Sequence, residues 1–119
     1  MTHVEIENSL NELNNLVLEG KLLDAFEKYY HDDVVMQENN LPATVSKEAN
    51  RQRERTFLNN IVEFRGAEVK GMGISGDISY VIWQYDYTHK EWGVRNYAQI
   101  SVQQWKDGKI IKEVFIYNN

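Results

Sequence analysis

Apolar residues recur at steps of three and four through Ile6, Leu10, Leu13 and Val17, a spacing that predicts an amphipathic helix ended by Gly20. Leu22, Leu23, Phe26, Tyr29 and Tyr30 make the apolar stripe of a second helix, which the run His31-Asp32-Asp33 breaks. Val34 to Glu38 is short and β-prone and reads as a strand. The stretch 39–45 holds the only proline and reads as a loop. Ser46 then caps a third helix running to about Ile61. That helix is polar, with Ala49, Phe57, Leu58 and Ile61 to bury, so it is expected to lie half-exposed.

From Phe64 the period changes to two, with turn signals at 74–79, 88–93 and 106–109, the last holding the Asp-Gly pair of a tight hairpin. Four antiparallel strands in a meander are predicted, at 64–75, 78–89, 94–106 and 109–117. Gly66, Gly71 and Gly73 fall inside the first, where glycine suggests the bulges and kinks that curve a long sheet. Helices first and strands later is the α+β pattern. The expected architecture is a cone: three N-terminal helices on a strongly curved, mostly antiparallel sheet, enclosing a hollow suited to a ligand.

Strand alternation says which residues face that hollow. Trp83, Tyr85 and Tyr87 share one face of their strand, Gln99 and Trp105 one face of the next, and Ile111, Glu113, Phe115 and Tyr117 one face of the last. The early strand adds Met36 and Glu38. The aromatic-rich sets are assigned inward, with Glu38, Gln99 and Glu113 as the polar groups among them. Ile110, Lys112, Val114 and Ile116 point the other way, as do Ile100 and Val102. Such an apolar outer face suits a second subunit, and a homodimer is expected.

Composition narrows the function classes. The 119 residues, without low-complexity sequence, read as one domain over 1–119, with 42% hydrophobic and 26% charged residues. A net charge of −5 argues against a nucleic-acid surface. No apolar run approaches the ~20 residues of a membrane span, and the polar N-terminus is unlike a signal peptide, so a cytoplasmic protein is expected. The absence of cysteine removes disulfides, thiolate nucleophiles and Cys-based zinc sites together.

The run 22–38, the helix after Thr44-Val45-Ser46 and the ending 107–117 together resemble the SnoaL-like branch of the nuclear-transport-factor-two-like superfamily. The resemblance covers nearly the whole chain in order. Its most specific pieces are an acidic pair, short strand and glutamate at 29–38, and a closing glutamate with an aromatic cluster ending in Tyr117. It implies a cone with a deep pocket, usually a homodimer through the outer sheet face, in a superfamily of ketosteroid isomerases, polyketide cyclases, dehydratases and binding proteins. The family's strand-end carboxylates fall on Glu38 and Glu113. This chain departs at Gln99, where relatives are expected to carry another acid.

Glu38 and Glu113 are therefore the candidate acid and base, since two carboxylates in a poorly solvated pocket push each other's pKa apart. The bland alternative has each hydrogen-bonded to a tyrosine or a Trp N–H, or reaching the rim. Tyr30, Tyr85, Tyr87 and Tyr117 could donate to a substrate carbonyl, although core tyrosines with satisfied hydroxyls are commoner. The expected pocket lining is Tyr30, Met36, Trp83, Tyr85, Tyr87, Gln99, Phe115 and Tyr117. His89, at the expected mouth, reads by default as a surface histidine. Arg51, Arg53 and Arg55 read as a solvated face, and residues 31–33 as a turn organised by Asp33 rather than a metal site. No metal and no cofactor are expected. Three functions remain: a small-ligand binding protein, a cofactor-independent isomerase, cyclase or dehydratase using Glu113 and Glu38, and a dimerisation module without ligand.

Overall fold

The computed structural model describes residues 1–118. In chain order the elements are α1 (His3–Leu18), α2 (Leu22–Tyr29), β1 (Tyr30–Glu38), β2 (Thr44–Val45), α3 (Lys47–Asn59), β3 (Ile61–Ser75), β4 (Ile78–His89), β5 (Gly93–Lys106) and β6 (Lys109–Tyr117). The strands form one open, curved sheet in the order β2-β1-β6-β5-β4-β3. Only β1 and β6 run parallel. This is the three-helix α+β cone expected from the sequence.

Local chemistry sets the helix ends. Thr2 accepts from the Glu5 amide at 3.1 Å while Glu5 accepts from the Thr2 amide at 2.9 Å, a capping box that starts α1. At its other end Gly20 takes φ +78°, with Gly20 N–H donating to Val17 and Lys21 N–H to Leu16. The turn brings α2 back onto α1, and Ile6, Leu10, Leu13, Ala25, Phe26 and Tyr29 are buried as one core with Val34, Val81, Trp83, Trp105 and Ile110.

Curvature comes from β3. It carries one extra residue relative to β4 at three places, Val62, Arg65 and Lys70, and Gly66 and Gly71 directly follow two of them. Gly73 lies opposite Tyr80, whose ring covers it: a Cβ at Gly73 would stand 2.5 Å from the ring. The bulges expected from the glycines of this strand are present, but it begins at Ile61, the residue at which the third helix was expected to end, rather than at Phe64.

Four expectations are corrected. Gln104 pairs with Lys112 but Trp105 pairs with Ile110, so Ile111 is an extra residue in β6. One extra residue reverses the alternation. Ile110, expected outside, is fully buried against the core, and Ile111, expected inside beside Glu113, is half-buried. Residues 31–33 belong to the irregular start of β1 rather than a separate turn, and His31 Nδ1, not Asp33, accepts there, from the Asp33 amide at 3.0 Å. Part of the expected loop forms β2, which pairs with β1 at Val35 and Met36. Finally, Ala49 is exposed, and the residue α3 buries completely is Asn50.

Candidate functional site

Sheet register places Ser79, Gln103, Glu113 and Met36 in one row across β4, β5, β6 and β1. Glu113, 2% exposed, sits in the middle of it. One of its oxygens accepts from the Tyr30 hydroxyl, and the other accepts from Gln103 Nε2 at 2.9 Å. Gln103 Oε1 in turn accepts from Ser79 Oγ at 2.7 Å, and Ser79 Oγ accepts from the Trp105 indole at 2.8 Å. Burial raises the Glu113 carboxyl to about 7; the donations from Tyr30 and Gln103 oppose that rise, and nearby Glu54 adds to it. Burial, and then the charge of Glu113, hold the Tyr30 phenol well above its ordinary range, so it remains a donor.

Glu38 is reached differently. It is partly exposed at the end of β1, two residues beyond Met36 and opposite Phe115, and pairs with Arg53 at 3.4 Å. A cavity of about 90 Å³ opens here, lined by Met36, Glu38, Leu41, Pro42, Thr44 and Arg53. Glu113 does not line it. A larger groove of about 380 Å³ runs between α1 and β3, lined by His3, Glu7, Asn11, Met72, Gly73 and Ile74, and contains none of the buried titratable groups.

Arg53 corrects another expectation. Two residues along a helix is a turn of about 200°, so Arg53 lies opposite Arg51 and Arg55. It faces inward with Asn50, Glu54 and Phe57, the i, i+3, i+4, i+7 face of α3. Arg51 does not stand free in solvent either, since it grips Glu27 through Nε and Nη2, both at 2.7 Å. Arg53 Nη2 donates to Glu54 at 3.1 Å and touches the Met36 sulfur at 3.9 Å, and its guanidinium lies 5.6 Å from the Phe115 ring. Its Nε is buried and has no hydrogen-bond partner. The Glu54 carboxyl is raised mainly by burial, with Arg53 opposing and Glu38 reinforcing the shift. Sequence reasoning missed both residues by searching α3 for apolar side chains; the inward spacing that starts at Asn50 was the available signal.

The remaining expected residues divide between core and interior. Tyr30, Met36, Trp83 and Tyr87 are buried hydrophobics. Tyr85 stacks on Trp83, centroids 5.4 Å apart, and burial, with Glu113 and Glu54 next, raises its phenol. The Tyr87 and Tyr97 hydroxyls are 2.8 Å apart, and Gln99 Nε2 donates to Ser101 Oγ at 3.2 Å. Phe115 is half-buried near Arg53, and Tyr117 lies against Tyr97. His89 is buried, not on the surface: it stacks on Trp92 at 3.7 Å, and its Nδ1 accepts from the Glu91 amide at 3.1 Å. Among the described residues no group of three or more His, Cys, Asp or Glu could hold a metal ion, and no helix is long and apolar enough to cross a membrane.

Solved structures with this fold are numerous. A protein from Mesorhizobium loti, provisionally named a SnoaL-like polyketide cyclase [carbohydrate phosphatase], is 28% identical, with a TM-score of 0.84 over 97% of this chain and 98% of that one. An NTF2-like protein of unknown function from Burkholderia pseudomallei shares 12% identity at a TM-score of 0.82, covering 99% of this chain and 92% of its own. A Bacillus subtilis protein provisionally named an isomerase shares 18% identity at a TM-score of 0.79, covering 99% and 90%. The last two speak for the fold alone. No curated protein matches the chain. The family model of the SnoaL-like domain matches residues 1–117, and the chain belongs to the SnoaL-like family.

Proposed function

We propose that this chain binds a small, largely apolar molecule with one polar group, at the end of the cone where β1, the turn after it and α3 meet. The observation that carries the reading is the cavity of about 90 Å³, with apolar walls from Met36, Leu41 and Pro42 and polar groups from Glu38, Thr44 and Arg53. Mostly apolar concavity with few polar groups is the usual character of a small-molecule site. A saturation-transfer NMR screen of small hydrophobic carbonyl compounds tests it. Hits are expected to be lost in Thr44→Trp, which fills the cavity from β2; hits indifferent to that change would refute this location.

A second reading, a cofactor-independent isomerase, cyclase or dehydratase with Glu113 and Glu38 as acid and base, draws support from the Glu113 carboxyl near 7. The M. loti protein's name includes one of these reaction classes, a polyketide cyclase. The binding reading is preferred because both Glu113 oxygens already accept from the protein, whereas Arg53 and Glu38 border open space. We further propose that two copies pair through the outer face of β4, β5 and β6.

A further inference from the structure

We propose that Glu38 anchors the ligand, and that the group it holds is a cationic donor, the ammonium of a small apolar amine. The inference rests on the cavity where β1, the turn after it and α3 meet being the ligand site. Glu38 lines that cavity and its side chain is 38% exposed, so an occupant can reach the carboxylate. Among the described residues no group donates a hydrogen bond to it. Its polar contact is Arg53 Nη1 at 3.4 Å, well beyond the about 2.7–2.9 Å of a charge-assisted hydrogen bond. Glu113, by contrast, accepts on both oxygens from the protein itself.

Charge and the supply of donors decide the class. Arg53 is the one cation among the lining residues, and it stands closer to Glu54, at 3.1 Å, than to Glu38. One guanidinium set between two carboxyl groups leaves Glu38 only partly compensated. A positive occupant is therefore attracted, and one bearing a carboxylate is repelled. A ketone can lie against the apolar walls but brings no donor to Glu38. An ammonium brings three, on a compact head. Met36, Leu41 and Pro42 provide apolar contact for the rest of the molecule, and about 90 Å³ sets the scale of what enters as one small ring.

The test titrates four probes of one ring size into the full chain: cyclopentylammonium, cyclopentanol, cyclopentanone and cyclopentanecarboxylate. Amide shifts of Met36, Leu41 and Thr44 and the Glu38 carboxyl carbon are followed by NMR, in the wild type and in Glu38→Gln, which keeps the shape and removes the charge. Cyclopentylammonium is expected to bind about tenfold tighter than cyclopentanone, to move the Glu38 carboxyl signal, and to lose that advantage in Glu38→Gln while the ketone is unaffected. Added salt should weaken the amine and leave the ketone unchanged. Cyclopentanol binding as tightly as the amine, or tightest binding by the carboxylate, overturns the cationic class. An equal Glu38 response to ammonium chloride means surface ion pairing only and overturns it too. Amine and ketone binding equally, with an unmoved Glu38 signal, overturns the anchor and leaves the cavity reading intact. If none of the four disturbs the cavity residues, the binding reading itself falls. Should Glu38→Gln fail to fold, the order of the probes and the Glu38 response in the wild type decide.

Discussion

Gln103 Nε2 donates to Glu113 Oε2, at the end of a chain of hydrogen bonds that begins at Trp105, on the same strand as Gln103. An indole N–H can only donate, so Ser79 Oγ accepts from Trp105, and the Ser79 hydroxyl in turn donates to Gln103 Oε1. That leaves the amide nitrogen of Gln103 for Glu113. With the Tyr30 hydroxyl donating from the other side, every bond in the row runs toward one carboxylate. The network favours the anion, burial favours the neutral acid, and burial is the larger effect, which is why the carboxyl stands near 7.

This balance makes stability depend on pH. A carboxyl at about 7 when folded and 4.5 when unfolded holds its proton more tightly in the folded state. Its contribution is full below about pH 4.5 and is lost as pH rises through about 7. At about 1.4 kcal/mol per pH unit, the gap of about 2.5 corresponds to about 3–4 kcal/mol. Urea unfolding should therefore show a wild type less stable at pH 8 than at pH 5, and Glu113→Gln, neutral throughout, should remove most of the fall and exceed the wild type at pH 8. A flat wild-type profile with Glu113→Gln destabilised at both pH values would mean that Glu113 is an ionised structural anchor.

Ser79→Ala probes the same row from its far end. It strips the Trp105 N–H of its acceptor and frees Gln103 to rotate its amide. The expected loss is about 1–3 kcal/mol in denaturant unfolding. Carboxyl carbon NMR should also find Glu113 titrating higher than in the wild type, because a rotated Gln103 no longer donates to the anion. A stability loss with unchanged titration would show that Gln103 keeps its orientation without Ser79.

How much of this was legible in the sequence follows from where periodicity is informative. The Asp-Gly turn and the alternation of Val81, Trp83, Tyr85 and Tyr87 located the hairpins and the inner face of β4, because a half-buried strand writes its burial into every second residue. Alternation failed at Ile110 and Ile111, since a bulge adds one residue with no compositional mark. It failed on α3 for a different reason. There the inward face is Asn50, Arg53 and Glu54, held by hydrogen bonds and ion pairs rather than apolar burial, so the face over the cavity resembled a solvated one.

Asn50 supplies the most direct measure of how α3 is held. Its Nδ2 lies 2.8, 3.0 and 3.3 Å from the carbonyls of Ser46, Thr44 and Val34, linking the helix start to β2 and β1, while its Oδ1 has no partner. The side chain is used as a donor. Asn50→Ala should cost about 1–3 kcal/mol, and Asn50→Asp, which brings an acceptor up to three carbonyls, should cost more despite near-identical shape. Thermal unfolding compares them directly; an aspartate variant as stable as the alanine one would mean that the carbonyls find water instead.

The proposed dimer can be tested through the outer sheet face. Ile100 pairs with Ile116 and Val102 with Val114 across β5 and β6, and β4 extends the row with Ile82 opposite Ile100 and Tyr80 opposite Val102. Ile100 and Ile116 are 38% and 48% exposed, and Tyr80 is 43% exposed, so this contiguous apolar strip is open to solvent in the single chain. Strips of this kind on folded domains mark interaction surfaces, and a two-fold pairing lets each copy cover the other's strip with its own. Light scattering at micromolar concentration should give twice the chain mass of 14.0 kDa. Val102→Asp should halve that mass while the melting transition stays cooperative, because Val102 faces the strip rather than the core. A wild-type mass near 14.0 kDa would refute the pairing. A Val102→Asp variant that unfolds without first dissociating would show that the chain folds only as the pair.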